Sequence, residues 1–300
     1  VGHGRRRAAE DHDQPAVEQA YVTIAAMPRQ RVVHRRNWLA WAFGIAVLVV
    51  LALLVDAAIR SKVVKLAVVA EYIVSPRILE GARNSLLLGT TALFIAVAIG
   101  LAVALMRVSG NPILVAFSST YVYLFRGTPM LIQLIFWFNA FPIMFPKLVI
   151  GIPFTDVVLV SEAMTKLVTP WLAALLGLSL AEGAYMAEIV RGGILAVDAG
   201  QRDAARSLGM TSLGVMRRIV VPQAARIVVP ATGNQYIMLL KSTSLASAIG
   251  YLELLRVTTD IYATNFFVVE LLVVAGFWYL VMTAFATAIQ TVLEKKFPHR

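Results

Sequence analysis

Residues 182–230 read EGAYMAEIVRGGILAVDAGQRDAARSLGMTSLGVMRRIVVPQAARIVVP. This is a polar, arginine-rich interlude between two apolar segments, each long enough to cross a bilayer. Its own chemistry predicts a two-helix knob. Asp198 followed by Gln201 has the form of a capping box that opens a short helix. Ala204, Ala205 and Leu208 give that helix an apolar side, and Gly209 supplies the left-handed stop. Ser212 is placed to cap a second short helix that ends before Pro222. On it Leu213, Met216 and Val220 share one face, away from Arg217 and Arg218. Asp203 is expected to make a cap or dipole contact at its helix start. A compact knob between two spans is built to be gripped by a partner.

Composition agrees with a membrane protein. Of 300 residues, 59% are hydrophobic and 15% charged, with a mean hydropathy of +0.76; soluble domains carry about a quarter charged residues. The net charge is +10, but Lys and Arg gather beside the apolar spans, which points to membrane orientation and away from nucleic acid. The chain has no cysteine, which excludes disulfides, thiolate metal sites and Cys nucleophiles. His3, His12, His34 and His299 lie in or near the termini, so a buried His-based centre is not expected. Neither catalytic residues nor a metal site stand out. No GxxxxGK(S/T) phosphate loop occurs, so the chain is not expected to bind or hydrolyse ATP by itself.

Taken in order, residues 1–36 form a basic, polar segment, expected to be a disordered cytoplasmic tail. Residues 37–59 form an additional N-terminal span with Trp38 and Trp41 at its interface. Residues 60–83 read as an external linker lying along the outer surface. The main membrane domain then occupies 84–294. Its spans fall at 84–106, 113–141, 169–190, 224–249 and 266–290, giving an all-α membrane protein of about six transmembrane helices. A turn at Ser109-Gly110-Asn111-Pro112 separates the second and third. Arg126-Gly127-Thr128-Pro129 should kink or break the third, because proline cannot donate the ladder bond. Residues 142–168, punctuated by Pro142, Pro146 and Pro153, read as an external loop with a re-entrant or surface helix. The basic residues favour both termini, the 191–222 loop and residues 295–300 on the inside.

Several residues stand out within the spans. Glu188 and Arg191, three apart near a helix end, pair with each other. Gly192-Gly193 allow the chain to bend and pack closely as it leaves the membrane. Glu182 lies deeper, and an intramembrane carboxylate is either functional or half of an ion pair, here with Lys241. The fifth span carries Thr232, Asn234, Gln235, Lys241, Ser242, Thr243, Ser244 and Ser247, too many polar groups for a lipid-facing helix. Asn234 and Lys241, two turns apart, share a face. Broken helices near the bilayer middle build substrate sites in transporters. The expected substrate path therefore comprises Gln133, Glu182, Tyr185, Asn234, Lys241, Thr243 and Ser244. Helix–helix hydrogen bonding is the plainer alternative for the same groups.

The order Asp203-Ala204-Ala205, Gly209, Ile219, Pro222 resembles the EAA loop of ATP-binding cassette (ABC) importer permeases. AYMAEIVRGGI before it, VPQAARIVVPATGNQYIMLLKSTSLASAIG after it and FRGTPMLIQL upstream are similar to the subfamily that imports polar amino acids. Asp203 stands where that family usually has Glu, and Ala181 where relatives often carry Asn. The resemblance covers approximately 76–297. It implies the type I ABC importer permease fold in a bacterial inner membrane, with the EAA loop as a cytoplasmic coupling helix. Asp203, Ala204, Ala205, Gly209, Ile219 and Pro222 would then contact an ATPase subunit. It further implies a second permease subunit, identical or paralogous, two cytoplasmic ATPase subunits that bind ATP and Mg, and an external substrate-binding protein. No cofactor is expected in this chain. The alternative from another class is an ion-coupled secondary amino-acid carrier that needs no ATPase, with membrane carboxylates and Lys241 as coupling groups.

Overall fold

A computed structural model describes residues 38–60, 64–151 and 158–296; the basic tail and the last four residues lie outside them. The chain falls into two units, 1–61 and 62–300. The first contributes α1, Trp38–Arg60, a 23-residue helix about 34 Å long at 1.5 Å per residue. It exposes Trp38, Trp41, Phe43 and Leu48 along its length.

The second unit is helical apart from one hairpin. It runs α2 (Leu66–Ile73), α3 (Pro76–Val108), α4 (Pro112–Gly127), α5 (Met130–Ile135) and α6 (Phe141–Met144). After these come β1 (Lys147–Gly151), β2 (Val158–Ala163), α7 (Met164–Leu167) and α8 (Pro170–Leu195). Then follow α9 (Ala199–Ser207), α10 (Ser212–Val215), α11 (Val221–Ser242), α12 (Leu254–Asn265) and α13 (Val268–Lys296). Three of the long helices start by one device. Ser75, Asn111 and Thr169 accept bonds from backbone N–H groups of the first turn, each followed by a proline at the first helical position. The side chain satisfies an orphan donor and the proline removes another.

Among the described residues, α3, α8 and α13 are each long and apolar enough to cross a bilayer. The α4 helix and the Met130–Met144 stretch, bent by 103° at their break, count as a fourth if taken as one span. The break falls at Thr128-Pro129, where the FRGTP run predicts it. The α11 helix, site of the expected fifth span, has Arg226, Asn234, Gln235 and Lys241 along its 22 residues. It extends in both directions, arriving through a π turn (Met216–Val220) and leaving through a 3-10 turn (Thr243–Ile249).

The α8 helix is the most buried of the long helices and packs along α3. A Cβ on Gly100 would stand 2.5 Å from Met186 Cβ, so only glycine permits that approach. The α3 helix starts at Pro76, inside the expected linker, and α2 packs on α12 and α13 through Val68, Val69 and Tyr72, with Trp278 Nε1 donating to the Ile73 carbonyl at 2.8 Å. Residues 147–163 contain an antiparallel hairpin with Lys147 opposite Ala163, where a loop with a surface helix is expected. The α8 helix runs unbroken through Gly192-Gly193 to Leu195; of the two, only Gly193 packs closely, against Val228.

One polar knot fastens α3, α12 and α13. Glu253, fully buried, caps α12 by accepting from the Leu255 and Arg256 N–H groups at 2.9 and 2.7 Å. The Tyr279 hydroxyl donates to it at 2.8 Å, and Ser85 donates to the same carboxylate. A buried carboxylate is tolerable here because its oxygens are saturated with donors.

Candidate functional site

The knob follows directly from α8. Asp198 Oδ1 accepts from the Gln201 N–H at 3.1 Å and opens α9, the first half of the expected capping box; the Gln201 side-chain oxygen instead accepts from Gln223 Nε2. The helix closes on Gly209 at φ +80°. There the Gly209 N–H donates to Arg206 O at 2.9 Å and the Met210 N–H to Ala205 O at 3.1 Å. These bonds satisfy carbonyls that the last turn leaves open, and the left-handed residue makes both possible.

Beyond that stop the structure departs from the sequence reading. The cap of α10 is Thr211, whose Oγ1 accepts from the Gly214 N–H at 3.2 Å; Ser212 is already inside the helix. The second helix does not end before Pro222. It passes through the π turn, closed by Val221 N–H to Met216 O, and Pro222 follows immediately in α11. Asp203 lies mid-helix and faces Arg206 at 3.6 Å, so the start of α9 belongs to Asp198.

The apolar faces also differ from expectation, in a way that creates a surface. Ala205, Val215 and Val220 are buried and pack with Ala104, Val190, Ile194 and Ala224. Gln223 Nε2 donates to Gln201 Oε1 at 2.7 Å and ties the knob to α11. Ala204 is exposed, and Leu208 and Leu213 are 84% and 77% exposed. Two large leucines stand out from a rigidly seated knob. Ile219 is half-buried and Pro222 exposed.

Above the knob, Glu188 accepts from Arg191 Nε at 3.0 Å and Nη2 at 2.6 Å. The same carboxylate pairs with Arg107 from the end of α3, a partner 81 residues away that local spacing does not reveal.

The substrate-path candidates are distributed among several environments. Arg126, at the break, lies with its guanidinium 5.0 Å from the Tyr185 ring centroid. Gln133 is buried, and its Nε2 donates to Phe125 O, Thr128 O and Thr128 Oγ1 at 2.9, 3.1 and 2.9 Å. It thereby supplies a donor to Phe125 O, the carbonyl that Pro129 cannot serve, and its Oε1 has no partner among the described residues. Gly127 meets nothing that would bar a Cβ. Beside the break lies a cavity of about 390 Å³ lined by Phe125, Thr128, Gln133 and Trp137.

Glu182 is 3% exposed, with Gln235 of α11 against its carboxylate; its Oε1 has no partner among the described residues. Among those residues no ion pair joins it to Lys241, which is exposed. The structural pairing raised as one alternative is therefore absent. Asn234 accepts from Gln290 Nε2 of α13 at 3.1 Å, and Lys241 lies on the same exposed side of α11. Thr243 is buried and donates to Leu240 O, while Ser244 donates to Lys241 O. These last two serve the helix that carries them. Thr90 and Tyr236, hydrogen-bonded at 2.8 Å between α3 and α11, add a polar contact that sequence reading does not single out.

The chain is thus a helical domain with candidate membrane spans, one broken helix and an exposed knob between two of its helices. The chain belongs to the binding-protein-dependent transport system inner membrane component family, whose model matches residues 95–298, and it has the ABC importer permease fold. Its curated relatives include the arginine transport system permease protein ArgU of Corynebacterium glutamicum, 38% identical over 88% of this chain and 81% of that protein. The nopaline transport system permease protein NocM of Agrobacterium fabrum is 37% identical over 69% of this chain and 82% of that protein. Among solved structures, an amino acid ABC transporter with histidines aligns at TM-score 0.63 and 33% identity, covering 74% of this chain and 94% of its own.

Proposed function

We propose that this chain forms the transmembrane path for a polar amino acid in an ATP-driven importer. The knob lies on the cytoplasmic side and docks into an ATPase subunit, which carries the ATP and Mg. A second permease subunit completes the path, and an external binding protein delivers the substrate. The observation that carries this reading is the knob itself, with Leu208 and Leu213 exposed on a base held by a capped helix, a glycine stop and a buried core. Exposed leucines on a short helix fit the groove of a partner protein. When ATP closes the ATPase pair, the knobs move with it and the spans change between inward- and outward-open arrangements.

Asp203, Ala204, Gly209, Ile219 and Pro222 act at the docking surface, while Ala205 acts from beneath by seating α9. The exposed side of α11, with Asn234 and Lys241, faces the path, and Arg126 with Tyr185 borders it at the break. Glu182 favours a cationic side chain among polar amino acids, because no salt bridge engages it among the described residues; one of the two relatives is named as an arginine transport permease. The test is a pull-down with the purified ATPase subunit. Wild type captures it, and Leu208→Asp/Leu213→Asp loses capture while eluting as a folded protein. Retention of the ATPase by that variant, or amino-acid accumulation under an ion gradient by the chain alone, overturns the reading in favour of a secondary carrier.

A further inference from the structure

A second site lies where the spanning helices end. The last turns of α3 and α8, the first half of α4 and the two knob helices enclose a cavity of about 700 Å³. Four arginines line it: Arg107, Arg191, Arg202 and Arg206. Arg107 and Arg191 share one carboxylate, Glu188, and each keeps guanidinium N–H groups beyond those bonds. Arg206 has only the long contact to exposed Asp203, and no salt bridge engages half-buried Arg202 among the described residues. The lining therefore carries a surplus of positive charge held on two rigid frames, the helix ends and the knob. The side chains of Arg107, Arg191 and Arg206 are 27%, 32% and 61% exposed, so their free N–H groups can be reached by an anion from outside the fold.

The rest of the lining identifies the anion. Between the arginines stand apolar side chains, among them Val115 of α4, Ile194 of α8 and Val215 of α10. A small soluble anion makes no use of such walls, whereas a phosphate attached to glycerol and acyl chains uses both. The depth agrees. The α3 and α8 helices are long and apolar enough to cross a bilayer, and their last residues, Val108 and Leu195, line the cavity, which places it at one end of two candidate spans. Basic pockets between spanning helices on the inner face suit anionic lipids. We propose that this cavity binds the phosphate of an anionic glycerophospholipid from the cytoplasmic leaflet. The guanidinium groups grip the phosphate, and the apolar wall takes the glycerol and first methylenes. The lipid thereby bridges the knob to α3 and α8. The choice of leaflet rests on the orientation proposed above; the binding itself does not require transport.

The test uses the full chain in mild detergent, stripped of lipid. Native mass spectrometry follows retention of phosphatidylglycerol against phosphatidylcholine of the same acyl length, and inorganic phosphate at millimolar concentration serves as a separate arm. The expected result is selective retention of phosphatidylglycerol and no effect of phosphate. In Arg202→Gln/Arg206→Gln, which changes side chains on the outer knob helix, retention should fall roughly 30-fold at low salt. Equal retention of the two lipids in wild type overturns the proposal without reference to any variant. Undiminished retention in the double variant overturns the site, and saturation by inorganic phosphate alone assigns it to a soluble anion. Since no ATPase is present, loss of the importer reading would leave these outcomes unchanged.

Discussion

Replacing Gly209 by alanine isolates one physical cause. A Cβ built at this position meets nothing within 4 Å, while φ stands at +80°. The substitution therefore introduces no clash, and its whole effect comes from holding an L-residue in the left-handed region, about 1–2 kcal/mol. That cost falls on the two bonds closing α9, Gly209 N–H to Arg206 O and Met210 N–H to Ala205 O. If the knob opens locally, its open population rises roughly 5- to 30-fold. Hydrogen exchange at the Met210 amide reads that ratio, and ATPase capture reports its functional consequence. Asparagine tolerates the left-handed region better, so Gly209→Asn should exchange more slowly than Gly209→Ala despite its larger side chain. If both exchange like wild type, or if asparagine is worse than alanine, the conformational argument fails and a steric or partner contact must replace it.

Three further outcomes are expected. Glu253→Ala strands Tyr279 and two backbone donors in the core and should lower stability in detergent by about 3 kcal/mol. Glu253→Gln, which keeps one acceptor, should lose about half as much; equal losses would show that the knot is not held by hydrogen bonding. Gly100→Ala forces α3 from α8 against Met186 Cβ and should cost about 1–3 kcal/mol, read by thermal unfolding, whereas Gly127→Ala, with open space around it, should not lower stability measurably through contacts. In a reconstituted importer, Glu182→Gln should raise KM for a cationic amino acid by about tenfold or more while leaving a neutral one unaffected. Parallel changes for both ligands would make Glu182 a packing residue.

Features whose cause is local were legible in the sequence. The Asp198 cap, the Gly209 stop, the 109–112 turn, the break at Pro129 and the Glu188–Arg191 pair each depend on residues within a few positions, so spacing suffices. Features that need a partner from elsewhere were not. Arg107 reaches Glu188 only because α3 packs along α8, and Gln133 caps carbonyls at the break only because the chain folds back there by 103°. The knob shows a subtler failure. A 3.6-residue period assigns Leu213, Met216 and Val220 to one face, but the π turn at 216–220 widens the helix, and the buried pair becomes Val215 and Val220, five apart. Leu213 is then turned outward. The hairpin at 147–163 was missed because prolines signalled a loop, while the short apolar runs KLVIG and VLVSEA fit strand or helix equally.

The route from α10 into α11 has a mechanical meaning. No coil separates the knob's second helix from the membrane helix, since the π turn joins them directly. The α11 helix has 22 residues, a rod about 33 Å long. A tilt of about five degrees about its knob end shifts the far end by about 3 Å by simple geometry. Pro230, inside α11, withdraws one ladder bond and gives that rod a place to bend. If the knob docks as proposed, force applied at its leucines would reach the turn at Thr243 as displacement, reduced by the bending that Pro222 and Pro230 allow along the way.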